Sequence, residues 1–288
     1  MRPKKSLGQN FLIQPNIVAK IIKASKLCEV EPRTVVLEVG PGRGILTRAL
    51  LDAGARVIAV EKDDALYLEL QQTFAKEISS GQLDLIHDDI LEFLANPQRL
   101  DLIRQLAGEL RSPYSVVANI PYNITGELLR VLLSGKVQPY AITILVQKEV
   151  AERIVAKDGK ESILSISVKA YGTPTYIATV GRGNFYPAPN VDSAILNISD
   201  ISKKFFEGRP LPQPLPEGEG GKREMQVDEK FFFKLLRAGF AHKRKLLARN
   251  LESVLPKDDI PGLFERAGVA KNARAEEVSL AQWGILSS

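Results

Sequence analysis

The sequence predicts an α/β fold: a mostly parallel sheet of seven strands with helices between them, followed by a smaller all-helical domain. Three observations carry that reading. Short β-branched apolar runs alternate with helical patterns through the first two thirds of the chain. A glycine-rich segment, residues 40–44, sits between the first such run and its helix. The composition then breaks at a Pro/Gly/Glu-rich stretch, after which the periodicity is helical only.

Residues 34–39 (TVVLEV) read as the first strand, and Ile45, Leu46, Ala49, Leu50 and Ala53 as the apolar face of a helix stopped by Gly54. Residues 56–60 (RVIAV) form a second buried strand, and helix-like sequence runs from Asp63 to Ile78. Further strands are expected at 83–87, 115–118 and 141–146, with helical stretches between. Residues 175–180 and 193–198 read as strands with no helix between them, hence an antiparallel pair at one edge. Residues 207–224 (EGRPLPQPLPEGEGGKRE) hold almost no apolar anchor, so they read as a linker or insertion, with a proline-rich docking ligand as the alternative. Helices follow at 231–238, 243–254, 261–267 and 279–283. The expected division is residues 1–200, a linker over 201–227, and a helical domain over 228–288.

The chain has 288 residues, long enough for one large domain and a small one. With 44% hydrophobic and 25% charged residues it is an ordinary globular composition. One cysteine, Cys28, excludes an internal disulfide, and two distant histidines, His87 and His242, argue against a zinc site, so no metal is expected. No apolar run approaches the ~20 residues of a membrane span, and no apolar core follows the basic N-terminus, so the expectation is a cytoplasmic protein with no membrane partner. A net charge of +5 is compatible with an anionic partner.

Spacing decides what the glycines bind. In Glu38-Val39-Gly40-Pro41-Gly42-Arg43-Gly44 the third glycine falls one residue too early for a dinucleotide fingerprint, and no Gly-Lys-Ser/Thr follows to make a phosphate loop. The pattern E-x-G-x-G-x-G instead resembles the loop of Rossmann-like methyltransferases that bind S-adenosylmethionine. Glu61 ends the second strand, where a carboxylate can accept from both ribose hydroxyls. Asp89 follows the third, where one can accept from an adenine amino group. With Gly40 and Gly42 they lie at the carboxyl ends of adjacent strands, where open α/β sheets bind ligands.

The fourth strand ends in Asn119-Ile120-Pro121-Tyr122, similar to the [D/N]-P-P-Y motif of amino-group methyltransferases. The N6 lone pair of adenine is delocalised into its ring. Accepting the two N–H hydrogens with the Asn119 side-chain oxygen and the Pro121 carbonyl would localise that pair and aim it at the sulfonium methyl. No strong base is needed, because the proton can leave after the methyl arrives. Tyr122 offers an aromatic face for the splayed base.

Taken in order, these motifs resemble the KsgA-type ribosomal RNA small-subunit adenine N6,N6-dimethyltransferases. Residues 4–12 (KKSLGQNFL) are similar to that family's N-terminal signature, and NIPYN (119–123) carries its aliphatic second position. QKEVAERI (147–154), FYPAPNVDS (185–193, F-x-P-x-P-x-V-x-S) and FAHKRKLLARNL (240–251) match its later segments. The resemblance implies that Asn10, Leu12, Gly40, Glu61, Asp89 and Asn119 contact S-adenosylmethionine. It further implies that Asn119, Pro121 and Tyr122 hold the target adenine, and that Phe185 stacks on it opposite Tyr122. It implies a substrate of two adjacent adenosines, each receiving two methyls, in a hairpin loop near the 3′ end of small-subunit (16S) ribosomal RNA within an assembling 30S subunit. Nothing in the sequence demands more than a monomer. The 207–224 stretch and Thr125-Gly126-Glu127 depart from the family pattern.

From Phe231 to Leu251 there are basic residues and no acid. Lys243, Arg244, Lys245 and Arg249 are the candidate phosphate contacts, with Arg2, Lys4 and Lys5 as a possible addition; a solubilising basic face is the alternative. Two rival functions remain: a resistance-type methylase of large-subunit RNA, and an assembly factor with vestigial catalysis. The 240–251 match argues against the first and the intact glycine-loop, Glu61, Asp89 and NIPY set against the second.

Overall fold

Residues 4, 8–27, 34–109, 113–207 and 227–288 are described by the structure, a computed structural model. Cys28, Arg2, Lys5 and all of the Pro/Gly-rich stretch after Glu207 lie outside the described residues. In chain order the elements are β1 (Phe11–Leu12), α1 (Pro15–Ser25), β2 (Val35–Val39), α2 (Ile45–Asp52), β3 (Arg56–Glu61), α3 (Asp64–Thr73), α4 (Ala75–Ser79), β4 (Leu83–His87), α5 (Ile90–Ala95) and α6 (Pro97–Glu109). There follow β5 (Tyr114–Asn119), α7 (Thr125–Ser134), β6 (Ala141–Gln147), α8 (Lys148–Val155), α9 (Ile163–Lys169), β7 (Thr173–Val180), β8 (Phe185–Tyr186) and β9 (Ser193–Ser199). The last helices are α10 (Glu229–Gly239), α11 (Leu247–Leu251), α12 (Ile260–Ala267) and α13 (Leu280–Leu286).

Two compact units result, one of residues 1–151 and 173–201, the other of 152–172 and 202–288. The units change over between residues 201 and 202, and residues 152–172 group with the C-terminal helices rather than with the sheet. Sequence periodicity cannot show this, because α9 is an amphipathic helix like its neighbours and only its packing partners differ.

In the first unit the seven-stranded sheet has the order β4-β3-β2-β5-β6-β9-β7. β2 to β6 are parallel, and β9 and β7 run antiparallel at one edge as expected. Every residue of β2 is buried, which is why 34–39 reads as continuous rather than alternating apolar sequence: a central parallel strand is covered on both faces. β7 alternates in exposure, as an edge strand does, with an irregularity between Tyr176 and Ala178. The chain leaves β2 toward β3 and β4, then returns to the other side at β5. The carboxyl ends of β2 and β5 therefore flank the switch point where such sheets open a crevice.

Two short strands had no signal in the sequence. β1 pairs antiparallel with β8, Phe11 opposite Tyr186 and Leu12 opposite Phe185. α1 starts at Pro15, whose fixed φ suits a first helical turn. The expected helix over 63–78 is two helices meeting at Phe74, whose ring is buried.

Among the described residues the second unit is helical. Phe205, Phe206, Phe232, Phe233 and Tyr171 form its aromatic cluster, with Phe205 and Phe206 edge-on at 5.0 Å. The helix expected over 243–254 is shorter, Leu247–Leu251. Residues 241–246 are a turn instead, because Asn250 donates from its side chain to the carbonyls of Gly239 (2.6 Å) and His242 (3.2 Å), and Leu247 N–H is drawn to Ala273 O (2.9 Å). Lys243, Arg244 and Lys245 thus stand on an exposed turn and Arg249 on the exposed side of the helix. No helix among the described residues is long and apolar enough to cross a membrane.

A Cβ at Gly239 would lie 2.4 Å from the fully buried Trp283 ring. Gly239→Ala should therefore destabilise the protein by about 2 kcal/mol, the scale of core overpacking, seen as a lower urea midpoint with unchanged slope.

Candidate active site

The carboxyl ends of β2, β3 and β5, the start of α5, and residues 8–12 enclose a cavity of about 210 Å³. Asn10, Leu12, Gly40, Gly42, Glu61, Asp89, Asn119, Pro121 and Tyr122 all line it, so residues spread over more than a hundred positions meet in one place.

The glycine loop turns with positive φ at residues 40, 42 and 44. Gly44 is required twice over, since its φ is +77° and a Cβ there would lie 2.5 Å from the Phe74 ring. Glu61 holds the loop: its buried carboxylate accepts N–H bonds from Gly42 (3.1 Å) and Asp63 (2.9 Å). Burial pushes the Glu61 carboxyl up, against the pull of those two amides. Each oxygen keeps a second lone pair for a hydroxyl donor.

Asp89 caps α5, accepting Leu91 N–H at 2.8 Å, and its other oxygen pairs with Lys62 Nζ at 2.7 Å. Burial raises the Asp89 carboxyl, but Lys62 and the Leu91 amide outweigh it, and the net shift is downward. Asp63 caps α3 and accepts from Gln9 (3.2 Å) and Lys4 (2.8 Å), which fastens the N-terminal segment beside the cavity. Neither Lys62 nor Asp63 carries a motif, so the sequence offered no sign of either role.

Glu38 was part of the glycine motif but had no assigned task. It is almost completely buried, lines the cavity, and its Oε2 has no hydrogen-bond partner among the described residues. Burial pushes its carboxyl up to about 8; the neighbouring Thr47 pulls the other way, and the Glu61 charge adds to the rise. An orphaned acceptor beside a second carboxylate suits a ligand that brings positive charge, as the ammonium and sulfonium of S-adenosylmethionine do, and Glu61 and Asp89 suit its ribose and adenine.

At the end of β5 the Asn119 side-chain N–H donates to Asn10 O at 2.9 Å. That contact orients the amide and leaves Oδ1 as the acceptor. The Pro121 carbonyl accepts Ile124 N–H at 3.2 Å with one lone pair and keeps another. The Tyr122 hydroxyl is 2.7 Å from Ser193 Oγ, which fixes the ring. Ser193 is the last residue of F-x-P-x-P-x-V-x-S and was readable from that motif, though not its partner.

Phe185 is placed differently from expectation. Its ring is buried in the core cluster with Leu12, Ile17 and Val180, and it does not line the cavity. Phe185 is directly opposite Leu12 in the β1–β8 pair and packs with it in that cluster, although Leu12 also lines the cavity.

A Rossmann-like sheet with this glycine loop, carboxylates after the second and third strands of the parallel series, and an Asn-x-Pro-Tyr turn after the fourth defines an S-adenosylmethionine-dependent methyltransferase. Comparison with known proteins specifies it. Residues 1–212 match the model of the family described as ribosomal RNA adenine dimethylase, and the chain belongs to that family. It is similar to Ribosomal RNA small subunit methyltransferase A of Dehalococcoides mccartyi, 37% identical over 99% of this chain and 88% of that one. The protein of the same name from Nostoc punctiforme is 36% identical over 100% and 95%. Of solved structures, the 23S rRNA methyltransferase ErmE superposes with a TM-score of 0.66 at 25% identity, covering 96% of this chain and 98% of that one. A dimethyladenosine transferase from Plasmodium falciparum, 23% identical with a TM-score of 0.69 and coverage of 96% and 95%, shares the fold. The protein is an enzyme that uses S-adenosylmethionine to dimethylate adenine N6 in ribosomal RNA.

The sign of the Glu38 effect is definite. Its folded-state pKa lies above the unfolded value of 4.5, so its favourable contribution is complete below that value and is lost as pH rises through about 8. Unfolding free energy measured from pH 5 to 8 should fall with a slope of up to about 1.4 kcal/mol per unit from this group, and Glu38→Gln should remove that component. An identical pH profile in the variant refutes the assignment.

Proposed function

We propose that the chain dimethylates two adjacent adenosines in the 3′-terminal hairpin loop of small-subunit ribosomal RNA, acting as a cytoplasmic monomer on an assembling 30S subunit. The family resemblance supports the target, and the relatives from D. mccartyi and N. punctiforme are named for the small subunit. The observation that carries the chemistry is the Asn10–Asn119 contact, which aims the Asn119 oxygen.

Asn119 Oδ1 and the Pro121 carbonyl accept the two N6 hydrogens, so the lone pair is drawn out of the adenine ring. Tyr122, held by Ser193, presents its ring to the base. Glu61 and Asp89 would hold the ribose and adenine of the cofactor, Gly40 and Gly42 would let the backbone approach it, and Asn10 and Leu12, which also line the cavity, would contact it. S-adenosylmethionine supplies an electrophilic methyl group. The N6 proton passes to solvent after transfer, so no residue here serves as a strong base. Lys243, Arg244, Lys245 and Arg249, all exposed, contact RNA phosphates and position the substrate without reading its sequence.

Labelled methyl should pass from S-adenosylmethionine to purified small subunits lacking the modification, with dimethyladenosine mapped by mass spectrometry to the 3′-terminal hairpin. Incorporation into large subunits alone identifies the resistance-type activity instead. Asn119→Ala should lower kcat by about a hundredfold or more with RNA affinity retained; a normal rate refutes the lone-pair mechanism. Neutralising Lys243, Arg244 and Lys245 together should flatten the salt dependence of RNA binding by roughly two units of log–log slope. An unchanged slope in a filter-binding titration removes the turn from the interface.

A further inference from the structure

The aromatic residue of the 185–193 segment that faces solvent is not Phe185 but Tyr186, which is 56% exposed, with Ile13 (44%) and Val191 (45%) exposed on the same connection and its paired strand end. Large apolar side chains this open are available for contact with a partner. Its position is set by strand pairing. Tyr186 is directly opposite Phe11, and opposed residues of an antiparallel pair share a face. Phe11 lines the cavity, as Leu12 beside it does, so Tyr186 is paired directly with a strand that forms the cavity wall. The segment's other end, Ser193, holds Tyr122 at that cavity. The exposed arc from Tyr186 to Val191 therefore starts and ends on residues tied to the target-base site.

Charge fits a nucleic acid there. Arg43 is exposed, with its guanidinium 5.2 Å from the Phe11 ring centroid, and Arg182 is exposed in the turn just before β8. An exposed aromatic ring, with one arginine four residues before it and another beside its strand partner Phe11, matches a single-stranded segment: a base on the ring, phosphates to the arginines.

Resting on the reading of the substrate as adjacent adenosines in a loop, we propose that Tyr186 is a second base-stacking platform. It holds the nucleotide next to the adenosine in the cavity, with Arg182 and Arg43 on the flanking phosphates. Tyr186 is a positioning residue: it keeps the strand splayed so that one adenine enters while its neighbour is retained outside.

The test uses the full chain and unmodified small subunits. Tyr186→Ala should raise the KM for subunits about tenfold, the scale of one lost stacked base, while S-adenosylmethionine Kd by calorimetry and the thermal midpoint stay as in wild type. Tyr186→Phe should restore the wild-type KM, since the ring and not the hydroxyl is used. A wild-type KM in Tyr186→Ala overturns the proposal, as does a Phe variant impaired as much as the Ala variant, or loss of cofactor binding in either. If the wild-type chain itself transfers no methyl to small subunits, the substrate reading falls and this inference with it; if it does transfer, failure of the variants touches this inference alone.

Discussion

The Glu61 carboxylate, itself buried, ties the end of β3 to the loop after β2 by accepting from Gly42 and Asp63. A buried carboxylate left without donors is costly, and here both oxygens meet backbone amides. The consequences spread from that point. The Gly42 amide is held while the loop passes through three left-handed positions, and Gly44 then abuts Phe74 at the start of α2. The Asp63 amide is held while its side chain caps α3 and grips Lys4 and Gln9 from the N-terminal segment. One acceptor group thus shapes the cofactor loop, a helix start and the strap of chain beside the cavity.

A second group of contacts does the same for the residues proposed to hold the target base. Asn119 is oriented by a carbonyl of the N-terminal segment, and Tyr122 by a serine more than seventy positions away. The segment from Gly8 to Leu12 lines the cavity and also orients Asn119, so movement of that short stretch would disturb both the proposed cofactor contacts and the proposed base contacts. Preorganised hydrogen-bond partners of this kind are how an enzyme with no strong base can raise the reactivity of a weak nucleophile.

Charge within the cavity is arranged in graded fashion. Asp89 is held ionised by Lys62, Glu61 is pushed upward by burial against its amides, and Glu38 is pushed up to about 8, with one oxygen unpartnered among the described residues. The most buried acid among the described residues is the one on β2, because both faces of that interior strand are covered.

The mostly parallel sheet, the glycine loop, the carboxylates after β3 and β4 and the Asn-Ile-Pro-Tyr turn were all legible in the sequence. Each depends on local periodicity or on residue types at fixed short spacing, and such signals survive without knowledge of what they pack against. Pairing of β1 with β8 was not legible, since two-residue strands have no period. That pairing decides that Phe185 points to the core and Tyr186 to solvent. The turn at 241–246 was likewise hidden, because Asn250 and Ala273, distant in the chain, supply the hydrogen bonds that displace a helical pattern. The assignment of residues 152–172 to the helical unit rests on the same cause. Local sequence determined which elements form and which chemistry they carry; long-range hydrogen bonds and burial decided which side chains reach the cavity, because those energies exist only once distant segments have met.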